Sequence, residues 1–403
     1  MSFLLAIFYF FYFSIIGVYI IFLPKVLSMA GYSASDIGII FAAAPLVRFA
    51  VPFAFIKGLK INRRAFNIAL FIMCLSATSF YFSLDSFYKL LFSNISLGIG
   101  LSIVLPYVEL ISLKYLGKED YGKIRLFGSV GFILVALVLV KFLSSANVAL
   151  AYLLVLTFIT SLSAFVIAKR ADTFLDKGEE SKNDIDILKD WRLWAGLTLM
   201  QVSFGSFYNF FTIYVTDHKV SMDIAVYLWS FGVVVEIFML YFQGSLLRKN
   251  LLLILQATTF ITAFRWLLLF IFPENITILF FSQALHALSF ALFHSAAISY
   301  LFYLYKHKSL AQQLFSGITY GFGAFLGALI AGYVYEFYPV HLFLSSALIA
   351  LLEAIFYIFG ELQKSRTKYY LIKGIFILGN GIDIPCVSNA SLTFSSISKR
   401  TIE

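Results

Sequence analysis

Charge is scarce in this sequence of 403 residues: Asp, Glu, Lys and Arg together make up 13% of it, about half of the roughly 25% that a water-soluble domain carries. That shortage, beside 61% apolar residues, excludes a disordered chain and an ordinary cytosolic enzyme. Cysteine is nearly absent. Cys74 and Cys386 supply neither a disulfide framework nor paired zinc ligands. The sequence also lacks the strict apolar–polar alternation of outer-membrane barrel strands. No HExxH, Walker lysine loop, GxSxG or paired metal ligands of a membrane hydrolase occur, so no enzymatic chemistry, metal or cofactor is expected. Without a nucleotide-binding element, any work must draw on an ion gradient or on a solute's own gradient. A basic leader and a small-residue cleavage site are missing ahead of the first apolar run, which predicts a retained helix.

What is present is apolar length. The 47 Phe, 24 Tyr and 4 Trp sit in runs readable from Phe3 to Gly360. Each run approaches the ~20 residues needed to cross a bilayer. The pattern predicts an all-α integral membrane protein with twelve transmembrane helices, near 3–28, 36–56, 65–84, 88–112, 124–143, 147–168, 191–216, 223–247, 251–272, 275–305, 309–335 and 339–360. Gly31 to Asp36 reads as the first hairpin turn, with Ser or Asp capping the next helix. Pro273 and Pro339 mark later breaks. A long polar stretch divides the chain into a six-helix bundle at 1–168, a linker at 169–190, a second six-helix bundle at 191–360 and a tail at 361–403 with no assigned role. Ser33-Ala34-Ser35-Asp36-Ile37 and Ser221-Met222-Asp223-Ile224 echo each other where the second helix of each half begins. Six plus six is a transporter plan.

The bases are sorted by side. Of 30 Lys and Arg, the even-numbered loops and the tail hold all but six. The opposite side has Lys25, Lys89, Lys141 and Lys219, while Arg48 and Arg265 fall inside spans. Basic short loops stay in the cytoplasm, so both termini are expected inside. The same distribution assigns the net charge of +9 to the anionic face of a lipid bilayer rather than to nucleic acid.

Ionisable groups within spans cost ~2.5–3.5 kcal/mol each on insertion scales and call for a reason. Counting 1.5 Å per residue, Arg48, Glu236 and His286 lie about 17–20 Å from the outer ends of their helices, and Arg265 about 11 Å. Glu236 and His286 can change charge, whereas Arg265 cannot, which predicts a proton-coupling set of Glu236, Arg265 and His286. The alternative is an inter-helix salt bridge that only offsets its own burial. Gln283, which shares a helix face with His286, and Asn209 are expected to contact the solute, and Gln201 adds a neutral polar group at similar depth. Glu109 and Arg125 flank one break and are candidates for a substrate-binding or gating pair. His294 reads as a helix-contact or near-surface histidine, and Glu353 as structural. The GxxxG spacings Gly317–Gly321 and Gly323–Gly327 predict close helix packing.

Specific stretches resemble a known family. Asp120-Tyr121-Gly122-Lys123-Ile124-Arg125-Leu126-Phe127-Gly128-Ser129-Val130-Gly131-Phe132 is similar to the helix 4–5 junction of the major facilitator superfamily branch that holds the lactose permease, the nucleoside–proton symporters and the phenylpropionic acid permeases. Tyr227 to Ile237, around Glu236, resembles helix 8 of the phenylpropionate permease group. So do Arg265-Trp266 on helix 9 and Gln283-Ala284-Leu285-His286 through His294 on helix 10. The resemblance implies the major facilitator fold, with Glu236, Arg265 and His286 on the helices that carry the coupling acid, arginine and histidine. It implies a substrate contact for Arg125 and, less closely spaced, Glu109. The carboxylate that follows the helix 10 histidine in the lactose permease is absent, since Ser289 and Phe290 stand there, which shifts weight to Glu236. The loop from Lys57 to Arg64 keeps the basic end of the superfamily's signature without its acid. In the tail, Ile375 to Asp383 faintly resembles the opening strand of abortive-infection proteins.

Together these readings predict a monomeric proton-coupled symporter of a bacterial inner membrane, importing a small organic solute by alternating access. An aromatic or other organic acid such as phenylpropionate is favoured, because Arg48 and Arg125 suit a carboxylate. Tyr12, Phe13, Tyr208 and Trp229 suit a ring. A sugar or nucleoside symporter, an exporter of the same fold and a polytopic membrane enzyme are the alternatives.

Overall fold

A computed structural model describes residues 1–56, 62–171 and 185–356. Most of the 169–190 linker, residues 357–360 of the last predicted span and the whole 361–403 tail lie outside them. The described residues are helical, with no strand among them. Eleven helices are long and apolar enough to span a bilayer: α1 Ser2–Met29, α2 Ala34–Ile56, α3 Arg63–Tyr81, α4 Phe87–Gly117, α5 Asp120–Phe142, α6 Ala146–Arg170, α8 Met222–Ser245, α9 Leu251–Ile271, α10 Ile276–Leu304, α11 Leu310–Phe337 and α12 Pro339–Phe356. The twelfth, α7, is built from two shorter helices, Trp191–Ser203 and Gly205–Asp217. The expectation of one continuous helix over 191–216 is therefore corrected by a break at Phe204, beside a close approach of Gly205 to α11.

Capping sets where the spans begin. Asn62 accepts from the Ala65 amide at 2.8 Å, Ser221 from Ile224 at 3.3 Å and Asn275 from Ile278 at 3.2 Å, each serving an amide that the first turn leaves unpaired. Ser33 does the same for Asp36 at 3.1 Å. The junction of α4 and α5 is tighter than expected. α4 runs on to Gly117, and that glycine alone turns the chain, with φ of 71°, a conformation that side chains disfavour.

α1 begins on the face that carries the basic loops, here the basic face, and odd-numbered helices run from it to the far face. Hydrogen bonds and ion pairs join the two halves on the far face. Lys25 meets Asp217 at 3.2 Å, and Asp217 also accepts from Tyr335 at 2.7 Å. Lys141 pairs with Asp223. The Ser35 amide donates to Glu336 at 2.7 Å. Here α2 and α11 touch backbone to backbone: a Cβ on Gly38 would lie 2.7 Å from the Ala328 carbonyl and 2.9 Å from the Gly332 Cα. Toward the basic face α2 and α11 meet through Phe49 against Gly321 and Phe322, and Arg48 beside Phe49 is exposed.

Three π-helical turns interrupt the regular register: Val18–Phe22 in α1, Ala287–Leu292 in α10 and Phe315–Gly323 in α11. Such turns re-aim the side chains that follow and often mark functional positions. Two of the three flank the site described next.

Candidate functional site

Arg265 on α9 is fully buried. Its Nε donates to the Ser282 carbonyl at 3.0 Å, Nη2 to Gln283 Oε1 at 3.1 Å and Nη1 to Ser289 Oγ at 3.4 Å. The guanidinium carbon lies 4.4 Å from the Phe207 ring centre and 4.5 Å from that of Trp266. A buried cation thus has neutral acceptors and two π faces around it, an arrangement that arginine tolerates better than lysine. Gln283, expected to face the solute, is fully buried and serves Arg265.

Glu236 on α8 and His286 on α10 do meet, with Oε2 and Nε2 3.8 Å apart. Gly232, one turn before Glu236, packs closely on α10, where a Cβ would sit 3.2 Å from Gln283 Oε1. His286 stacks on Phe290, four residues on along the same helix, at 5.1 Å and nearly parallel. Arg125, from the other half, lies near enough to Glu236 to act on it electrostatically, as Arg265 does to His286.

In the first half, Arg125 Nε donates to Glu109 Oε1 at 3.3 Å. Tyr121 donates to the same oxygen at 3.1 Å. The Arg125 guanidinium lies 4.0 Å above the Phe13 ring and 5.4 Å from that of Tyr9. Glu109 and Arg125 keep side-chain exposures of 29% and 31%, so the pair is reached from outside the protein while its aromatic floor is packed. Arg48 lies close enough to act electrostatically on the hydroxyls of Tyr12 and Tyr19 in its own half and of Tyr208 and Tyr320 in the other. Those hydroxyls come from both halves, so Arg48 lies near the seam between them.

The remaining expected residues separate into wall and support. Tyr208 is half-buried and within range of both Glu236 and Arg48. Trp229 is buried behind it, its Nε1 donating to Thr212 at 3.1 Å. Asn209 donates to the Gly205 carbonyl at 2.8 Å, securing the turn after the α7 break. His294 is a helix-contact histidine with Nδ1 2.7 Å from the Tyr320 hydroxyl. Tyr320 is the residue that sequence reasoning missed. Nothing distinguishes it among 24 tyrosines except its place in the glycine-rich stretch of α11, which a π turn rotates toward Arg48 and Glu236.

A polar, ionisable space lined by both halves of a twelve-span bundle is the build of a transporter that alternates access. The chain belongs to the MFS_1 like family, whose profile matches residues 3–345, and is therefore a major facilitator superfamily transporter rather than an enzyme. It is 25% identical over 375 residues, 86% of this chain and 94% of the relative, to a probable 3-phenylpropionic acid transporter of Escherichia coli K12. It is 25% identical over 328 residues, 76% and 80% of the two chains, to the Bacillus subtilis transporter YwbF. Among solved structures, the nucleoside transporter NupG superposes with a TM-score of 0.70 at 17% identity, covering 89% of this chain and 98% of that one. PepTSo of the POT family reaches 0.72 at 12% identity, covering 90% and 97%. At such identities the structures speak for the fold alone.

Proposed function

We propose that this protein imports a small organic acid bearing an aromatic ring, together with a proton, across a bacterial inner membrane. The observation that carries the reading is the Glu236–His286 pair, 3.8 Å apart, set opposite Arg125 and Arg48 around one aromatic-lined space. A carboxylate entering between the arginines finds charge-assisted donors, and its ring finds Phe13, Tyr208 and Phe290. Glu236 lies within the field of Arg125, so a substrate carboxylate that engages Arg125 changes the charge balance at Glu236. Proton and solute are coupled through that shared arginine. Arg265, bonded to the backbone and to Gln283 and Ser289, holds α9 against α10 and fixes His286 in place.

The excess of basic residues supports a cytoplasmic position for the loops of the basic face and for both termini. With the halves joined on the far face, the conformation is then inward-facing. The 25% identity to a probable phenylpropionate transporter favours an aromatic acid. A nucleoside, the alternative substrate class, is disfavoured by Arg48 and Arg125, which suit a carboxylate. A thermal-shift and uptake comparison decides between them. Phenylpropionate is expected to stabilise the purified monomer and to enter proteoliposomes, whereas 3-phenylpropanol, uridine and lactose are not. Arg48→Gln is expected to weaken the acid's effect at least tenfold. Stabilisation by uridine, or by the alcohol as strongly as by the acid, contradicts the proposal.

A further inference from the structure

Away from the central space, α3 and α6 leave a groove open to the bilayer. Its deeper part, about 490 Å³, is lined on α3 by Asn67, Phe71, Cys74 and Thr78 and on α6 by Phe158 and Phe165. A shallower part of about 730 Å³ shares Asn67, Phe71 and Phe165 with it and adds Arg63 and Arg64 at the mouth. The two are continuous. From Arg63 to Thr78 the groove follows α3 for about 22 Å at 1.5 Å per residue, close to the length of an extended acyl chain. Its apolar walls are exposed: Phe71 by 69%, Leu75 by 58% and Phe158 by 49%. Two polar atoms in the walls, Asn67 Oδ1 and Ser161 Oγ, have no hydrogen-bond partner among the described residues. Asn67 lies about one turn from the basic end of α3, at the depth of a lipid's glycerol and ester groups, and Ser161 about two and a half turns from the basic end of α6, beside the upper part of a chain.

We infer that this groove is a binding site for one anionic glycerophospholipid of the leaflet on the basic face. Arg63 and Arg64 meet the phosphate, the glycerol and ester region lies against Asn67, and one acyl chain passes Ser161 and fills the slot down to Thr78. Charge complementarity selects the occupant. Any lipid chain could enter the apolar slot, but two guanidiniums at the mouth prefer a headgroup with net negative charge. An occupied slot would brace α3 against α6 within the first half.

Cys74 in the wall reports on occupancy. In a Cys386→Ser background it is the sole thiol of the chain, and its alkylation by N-ethylmaleimide can be followed in detergent with defined lipid added. Phosphatidylglycerol is expected to slow the reaction at least fivefold more than phosphatidylcholine of the same chains and to raise the melting temperature. The Arg63→Ala, Arg64→Ala variant is expected to lose that difference while slow protection by excess phosphatidylcholine remains. Glycerol phosphate, which has a phosphate but no chain, is expected to protect nothing. Equal protection by the two lipids in the parent, a preference that survives in the double variant, or protection by glycerol phosphate alone would each overturn the inference. Should the double variant fold poorly, Thr78→Trp, which blocks the deep end and leaves the arginines, is expected to abolish protection by phosphatidylglycerol. Retained protection in it counts equally against the site.

Discussion

Arg265 carries a full charge into a place with no exposure at all, and its neighbours show how that is sustained. Three neutral acceptors and two aromatic faces replace the water it has lost. Arg265→Ala would leave the Ser282 carbonyl and the Gln283 and Ser289 oxygens without that donor in a buried setting, at a cost of about 3 kcal/mol. Denaturant unfolding in detergent is expected to show this loss, and unchanged stability would mean the network is dispensable. Tyr305, just past the end of α10, bridges in the same spirit outside the membrane. It accepts from Trp194 Nε1 at 3.1 Å and donates to Asp190 at 2.9 Å. Burial pushes its phenol up from the ordinary value of 10.0. The folded state then holds the proton more tightly than the unfolded one, so the contribution is full below about pH 10 and is lost as pH rises beyond it. Tyr305→Phe is expected to flatten the alkaline decline of the melting temperature, and an unaltered decline would exclude Tyr305 as its source. At this scale the sequence was legible where chemistry is rare. A Glu, an Arg and a His inside apolar runs stand out, whereas Tyr320 does not, because an aromatic in a span is ordinary.

Among the elements, α11 shows what spacing alone leaves open. Gly317–Gly321 and Gly323–Gly327 read as two packing pairs; the second pair does pack on one neighbour, but the spacing does not say which neighbour each glycine meets. Gly323 and Gly327 face α7, where a Cβ on Gly327 would come within 2.8 Å of the Val202 carbonyl, while Gly321 and Gly332 face α2. One helix thus presents one small-residue edge to its own half and another to the opposite half. The π turn over Phe315–Gly323 shifts the face between them, and no hydrophobic period announces it. The same holds for the break at Phe204, which is masked by continuous apolarity from Trp191 to Asp217. Gly327→Leu is expected to prevent correct packing of α7 on α11, seen as loss of a monodisperse peak in detergent. Gly332→Leu, on the edge that meets Gly38, is expected to fold and to hold the halves apart on the far face. Cysteine labelling from that side, increased in Gly332→Leu and unchanged in Gly327→Leu, checks the distinction; the reverse pattern contradicts it.

At the scale of the whole molecule, charge complementarity between the halves is seen at a few of the described residues. Lys25 and Lys141 come from the first half, and Asp217, Asp223 and Glu336 from the second. Exposed pairs of this kind contribute about 0.2–1 kcal/mol each. A few together bias the equilibrium by about 1–2 kcal/mol, roughly tenfold, enough to set a resting state and weak enough to be released by substrate. Asp223→Lys is expected to raise far-face accessibility severalfold, and adding Lys141→Asp to restore it; no change in either would remove these pairs from the gate. The twelve spans and the sidedness of the basic loops could be read from composition and order, because the bilayer imposes both. Which groups meet across the midplane could not, since helix rotation is set by packing that a linear pattern does not encode. The most direct test of a proton-coupled carrier is therefore the fate of Glu236→Gln in proteoliposomes loaded with phenylpropionate. Solute counterflow is expected to persist near the parent rate while accumulation driven by an imposed pH gradient falls to that of protein-free vesicles. Gradient-driven accumulation equal to the parent's would contradict the assignment of Glu236, and with it the coupling mechanism.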